Sequence, residues 1–295
     1  MVLLGDSNND GVINITDAKA IADYLVGNIQ SISLTNSNIN NNSEVSIKDA
    51  ARIADHVAGI EPLDTTFKCH IEYTDPTNFL TDIDKATIAS AVAKWTGIIK
   101  NRVHSNRIYD MVVYVDMVTR DANILASAGP YVPNYSVNGK LIPYAGVLEL
   151  NTTNWGSQMA DVKSNGETTA WRTVVHELAH IFGVGTLWGE NGLVDSQGWY
   201  IGSNALREYR NKFNDQTFIA IPIENDGGGG TAGGHLEEGT QSGASVDNRT
   251  RDGKFYPGLD ADLLTGWAEN HSGDEPLTRV SIGLLEDLGY EVVYS

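Results

Sequence analysis

Val174-Val175-His176-Glu177-Leu178-Ala179-His180-Ile181-Phe182-Gly183 is the stretch around which the chain organises itself. Val174, Val175, Leu178, Ile181 and Phe182 fall at i, i+1, i+4, i+7 and i+8, an apolar stripe that predicts a buried helix. Ser164 and Glu167 have capping-box spacing ahead of it, and Gly183 and Gly185 are expected to stop it. On such a helix His176 and His180 sit one turn apart on one face, so both imidazoles can meet one metal ion. Glu177 is the next residue round, beside the ion's open position rather than on it. That is the place for a base that takes a proton from a metal-bound water. The plainer reading, two surface histidines and a solvated glutamate, conflicts with the stripe, because burying an unpaired glutamate is costly.

Zinc held by two histidines needs at least one more protein ligand. The compact pattern with a third histidine three residues after the glycine fails, since Thr186 stands there. His56 falls in an N-terminal repeat. His70 alternates with Cys69 and Ile71 on an expected strand and should point outward. His104 follows a helical stretch carrying Ile88, Val92, Trp95 and Ile99. His235 ends a glycine-rich run from Asp226 to Gly234 that is too flexible to fold alone and that a metal bond would order. His235 is therefore the expected third ligand and His271 the next choice. Glu208, Glu224 and Glu237 stay open, because zinc also accepts carboxylate oxygen. The glycine run lacks the Gly-Lys-Ser/Thr ending of a phosphate loop.

The first sixty residues repeat. A shift of 32 residues aligns Asp17-Ala18-Lys19-Ala20-Ile21-Ala22-Asp23-Tyr24-Leu25-Val26-Gly27 with Asp49-Ala50-Ala51-Arg52-Ile53-Ala54-Asp55-His56-Val57-Ala58-Gly59. Each copy reads as a polar loop, a short amphipathic helix and a glycine stop. In the first loop Asp6, Asn8, Asp10, Asn14 and Asp17 place side-chain oxygens at positions one, three, five, nine and twelve. Gly11 stands at six, and Val12 at seven can add its carbonyl. A hard cation wants six to eight oxygens around such a turn, so this loop is expected to bind calcium. The second loop, Asn38 to Asp49, has Asn38, Asn40 and Asn42 where carboxylates would bind more strongly, and Ser43 in the glycine position. Weak binding or none is expected there.

Composition narrows the remaining choices. The 295 residues are 41% hydrophobic, enough for a sizeable core, and their length suggests two domains. A net charge of −18 argues against a nucleic-acid binder and against docking on anionic lipid. No apolar run approaches the ~18 residues of a membrane span. The one cysteine, Cys69, leaves no intrachain disulfide. No leader is visible at Met1, which is what a secreted chain shows after processing and equally what a cytosolic chain shows.

The duplicated loop–helix over roughly residues 3–60 resembles the dockerin type I module. That resemblance implies a cohesin-type partner and an extracellular location. It departs in the second loop and in the Asn/Ser-rich stretch from Asn28 to Ser46. From about residue 66 onward the chain resembles bacterial relatives of leishmanolysin, which are metzincin-type zinc peptidases. The resembling segments include Ala128-Gly129-Pro130, Leu141-Ile142-Pro143-Tyr144-Ala145-Gly146, His176 to Gly183, and Thr186-Leu187-Trp188. They continue with Pro222 to Gly228, Gly234-His235, Asp262 to Trp267 and Leu284 to Tyr290. This likeness implies a third zinc ligand after an insertion, where His235 stands. It also implies that Glu177 is the general base, that the substrate is a protein or peptide, and that an edge strand pairs with it, for which Gly146–Leu150 is the candidate. The family's methionine in the turn beneath zinc is Leu264 here, a residue of similar volume. Leu236 follows His235 where relatives tend to have tryptophan.

The expected architecture is a small all-α calcium-loop repeat over 1–61, a short linker over 61–66, and an α+β metzincin-like domain within 62–295 built around one long helix. The expected function is a secreted zinc endopeptidase. The alternative is a calcium-dependent cohesin-type binding module carrying a weak or specialised peptidase.

Overall fold

The computed structural model describes residues 4–39, 44–60, 63, 67–102, 111–131, 135–137, 140–225, 228–238, 249–260, 262–267 and 276–294. They fall into two compact units, one before Phe67 and one from Phe67 onward. Of the expected linker only Leu63 is described, and Asn40, Asn42 and Ser43 of the second loop lie outside the described residues.

The first unit is all-α. Helices α1 (Ile15–Leu25) and α3 (Ile47–Val57) are the two halves of the repeat, with a short α2 (Leu34–Ser37) between them. Both long helices begin with a reciprocal capping box, Asn14 with Asp17 and Ser46 with Asp49. Each box satisfies backbone donors that a helix start leaves open. Ile21 and Ile53, equivalent in the repeat, are fully buried together with Ile39. Ala18, Ala50 and Leu63 complete this core. Neither half presents enough apolar surface to fold alone, so they stack on one another.

The second unit is a mixed α/β fold. Its elements begin with β1 (Cys69–Tyr73), α4 (Asp82–Ile98), β2 (Ile99–Arg102), β3 (Met111–Val118) and β4 (Ala126–Pro130). Next come β5 (Tyr135–Val137), β6 (Lys140–Ile142), β7 (Ala145–Asn151), α5 (Trp155–Ala160) and α6 (Thr169–Ile181). The chain continues through β8 (Trp199–Tyr200), α7 (Ser203–Lys212), β9 (Ile221–Pro222), β10 (Arg249–Arg251) and β11 (Lys254–Tyr256). It closes with α8 (Arg279–Leu288) and β12 (Tyr290–Val292). The main sheet runs β1-β3-β7-β4, with β1, β3 and β7 parallel and β4 antiparallel at the end. Gly146–Leu150 is therefore not an edge strand. β7 is hydrogen-bonded to β3 on one side and to β4 on the other, and Ala126–Pro130 carries the outer edge. On β3 alternate residues are buried, so one face of the sheet lies on the core.

α6 packs against that core. Val174, Val175, Leu178, Ile181 and Phe182 are all fully buried, as the stripe predicts. Trp95 of α4 donates its indole N–H to the Val175 carbonyl at 2.9 Å, and Tyr290 donates its hydroxyl to the Phe182 carbonyl at 3.0 Å. The Phe182 ring meets Trp95 and Phe67 edge-on. α6 comes so close to β7 that a Cβ on Gly146 would lie 2.6 Å from Ile181 and from the Gly129 carbonyl oxygen. Only glycine fits there. In α8, Val280, Leu284, Leu285 and Leu288 face inward as expected. The single cysteine, Cys69, is half-buried on β1.

Candidate metal centre

α6 is capped by Thr168, whose hydroxyl accepts the Trp171 N–H at 3.1 Å. The expected Ser164–Glu167 box does not form, because Glu167 instead accepts the Arg172 guanidinium N–H at 3.0 Å. Past the helix the chain turns through Gly183 and Gly185, both in the left-handed region. A Cβ on Gly185 would lie 2.0 Å from the carbonyl oxygen of Gly234. That bare contact lets the helix exit touch the loop that carries His235. The loop is pinned on both sides: Glu224 N–H donates to the His235 carbonyl at 3.0 Å, and Glu237 N–H to the Pro222 carbonyl at 3.1 Å.

The three expected histidines converge. The Nε2 atoms of His176, His180 and His235 form a triangle with every side 3.1 Å. A tetrahedral zinc with bonds of ~2.05 Å would separate its nitrogens by about 3.3 Å. Each outer nitrogen faces a main-chain carbonyl: His176 Nδ1 lies 2.7 Å from Leu263 O, His180 Nδ1 2.9 Å from Val184 O, and His235 Nδ1 2.8 Å from Thr231 O. A carbonyl only accepts, so each ring carries its proton on Nδ1 and turns a bare Nε2 lone pair inward. Three lone pairs pointing at one another repel unless a cation sits among them, and these residues therefore fit a soft-to-borderline divalent metal.

Burial keeps the rings neutral. It pushes His176 well below the usual imidazole range, pushes His180 down to about 4 and lowers His235. The neighbouring imidazoles add to the first two, since like charges close together disfavour the charged forms. Glu177 is buried beside them, and burial pushes its carboxyl up to about 8. A cation bound next to it would pull it back down.

A pH prediction follows for the metal-free chain. An unfolded histidine titrates near 6.5. With folded values depressed, the unfolded state binds more protons below that point. Stability is therefore expected to fall as pH drops from about 6.5 toward 4, by up to about 1.4 kcal/mol per pH unit for each of the three rings, with the raised Glu177 carboxyl offsetting one ring's share down to about 4.3. Denaturant titrations followed by tryptophan fluorescence will report the second unit, because every tryptophan lies from Trp95 onward. A flat profile over that window would contradict three neutral rings.

Glu208 is held by Arg207 and Arg279 at 2.8 Å each. Glu224 and Glu237 are buried, and neither joins the converging nitrogens. His70 is exposed on β1, and His56 ends α3 in the other unit. His104 and His271 lie outside the described residues. Sequence reading assigned no role to Leu263 or Asp262, although both stand in a quoted segment. Their parts depend on a turn-to-helix contact that no spacing reports.

In the first unit the expected loop winds about its two end carboxylates. Asp6 accepts the N–H groups of Asp10 and Gly11, both at 2.9 Å. Asp17 accepts those of Asn8 at 3.1 Å and Asn14 at 2.9 Å. Asp10 accepts the N–H of Val12 at 2.9 Å. Gly11 has φ +86°, the left-handed conformation expected at position six. The insert between the halves clamps this loop: Asn36 donates its side-chain amide to the Asp6 carbonyl at 3.0 Å, and Ser33 N–H to the Ser7 carbonyl at 2.9 Å. In the second half Asp49 plays the part of Asp17, accepting the N–H groups of Ile39 and Ser46.

Residues 4–58 match the family model of the dockerin type I domain. Two similar solved structures, both from Acetivibrio cellulolyticus, contain the third cohesin ScaC in complex with the ScaB dockerin. The one with a mutation in the N-terminal helix is 27% identical over 20% of this chain and 86% of that chain, with a TM-score of 0.20. The one with a mutation in the C-terminal helix is 26% identical over 21% of this chain and 96% of that chain, with a TM-score of 0.20. No curated protein matches the chain.

Proposed function

We propose that the chain couples a calcium-dependent docking module for a cohesin-type partner to a zinc peptidase unit of the metzincin kind. The match of residues 4–58 to the dockerin type I domain supports the docking half, and with it calcium and an extracellular setting. The hydrolase half rests on one observation: the triangle of bare imidazole nitrogens made by His176, His180 and His235.

Zinc bound there would supply Lewis-acid chemistry for peptide hydrolysis. His176, His180 and His235 would hold it through their inward Nε2 atoms. Glu177, one residue round the helix from His176, takes the proton of the attacking water and delivers it to the leaving amine. The edge strand Ala126–Pro130 offers free backbone groups along which an extended peptide can align. Leu264 is 2% exposed and follows Leu263, whose carbonyl faces His176 Nδ1. Its presence in place of methionine favours a second reading, in which docking is the chain's main work and its peptidase is weak or specialised.

Metal analysis with a peptide assay tests the proposal. The wild-type chain is expected to carry one zinc and to cleave casein or a peptide library. His235→Ala removes one of three ligands and is expected to lose most of the zinc and the cleavage with it. Undiminished zinc in His235→Ala would overturn the ligand set. Full zinc without cleavage of any peptide would leave the docking reading alone.

A further inference from the structure

We propose that Asp262 is a positioning residue of the metal centre, holding the turn whose Leu263 carbonyl orients the His176 ring. This inference rests on the metal centre proposed above. The turn closes on the Asp262 carbonyl, which accepts the Thr265 N–H at 3.2 Å and the Thr265 hydroxyl at 3.0 Å. Leu263 is the first residue inside that turn, and its carbonyl is the acceptor 2.7 Å from His176 Nδ1. The Asp262 side chain is buried and fully engaged. Oδ1 accepts the Leu264 N–H at 2.9 Å and the Ser281 hydroxyl at 2.6 Å, and Oδ2 accepts the Thr278 hydroxyl.

Those partners explain why a carboxylate stands there. Thr278 is the N-cap of α8 and Ser281 lies in its first turn, yet Thr278 makes no side-chain bond to its own helix. Asp262 therefore occupies the positive end of α8, where a negative charge is favoured. It ties a rigid helix to a four-residue turn by charge-assisted bonds, which are about twice as strong as neutral ones. The path runs from α8 through the carboxylate and the turn to Leu263 O, then across the His176 ring to the inward Nε2. Outer partners of this type fix a ligand's tautomer and direction, and losing one typically weakens metal binding by about 10–100-fold.

Zinc affinity is read by competition with a chromophoric chelator, and ligand geometry by the visible absorption of the cobalt-loaded full-length chain. Asp262→Ala is expected to weaken zinc binding by about 10–100-fold and to shift the cobalt bands, with wild-type circular dichroism. A residue that only stabilised the fold would leave the cobalt spectrum in place. Wild-type affinity and spectrum in Asp262→Ala overturn the proposal. If that variant does not fold, Ser281→Ala decides. A weaker affinity with the same spectral shift in smaller degree supports the proposal, and no change in either overturns it. His176→Ala separates this proposal from the one beneath it: zinc binding undiminished there would sink the metal centre itself.

Discussion

Replacing Glu177 with glutamine is expected to cut peptide hydrolysis by about 10²–10⁴-fold, the range of a lost general base, while zinc content stays at the wild-type level. Glutamine has the volume and shape of glutamate, so the packing of α6 is retained. Glu177 is not one of the converging ligands, so the three nitrogens keep their places. What disappears is a group able to accept a proton. The side chain sits where water is scarce, and burial alone pushes its carboxyl up to about 8, a sign of how little solvent competes for it. A proton taken from the attacking water is then held beside the substrate rather than lost to bulk. Metal analysis and turnover measured on the same preparation check this. Turnover equal to wild type would remove Glu177 from the chemistry. Lost zinc would turn it from a base into a structural support.

The second large effect is expected in the first unit. Withdrawing calcium with a calcium-selective chelator should abolish capture of a cohesin and melt much of the helical signal of residues 4–58. Asp6→Ala should do the same without a chelator. The module is small, and domains of this size bury too little apolar surface to be robust. Among the described residues its core is six buried side chains. A cation held at 100 to 1,000 times its dissociation constant adds about 2.7–4.1 kcal/mol to folding, a large fraction of what such a module can have. Asp6 organises two loop N–H groups and Asp17 two more, so removing Asp6 takes the acceptor from the Asp10 and Gly11 donors as well as one carboxylate from the loop. Capture that is equally tight with and without calcium would refute the role given to this loop. The second unit's tryptophan fluorescence should not respond.

Much of the centre was legible because helices report themselves locally. The stripe from Val174 to Phe182 has the helical period, and the same period puts His176 and His180 on one face. The third histidine of the trio was legible only by elimination and resemblance, since nothing local links His235 to α6. The Gly185–Gly234 contact that makes the link is a tertiary event. The cap went wrong for a related reason. Ser164 and Glu167 have the right spacing, but Glu167 is drawn to Arg172, and Thr168 is left to accept the Trp171 N–H. The edge strand was misplaced because alternation tells which face of a strand is buried, not which strands flank it. The edge beside β7, Ala126-Ser127-Ala128-Gly129-Pro130, is small and ends in proline, a composition of low strand propensity that edges tolerate.

Leu263, Val184 and Thr231 belong to three separate stretches of chain, and each lends a main-chain oxygen to one ring of the same trio. The rings act as a buckle for those stretches. An ion seated among them would fasten a turn, a helix exit and a glycine loop in one act, and its departure would slacken all three together. Because the grip is on backbone, side-chain replacements along those stretches can accumulate without unfastening it, provided the chain can still follow the same path.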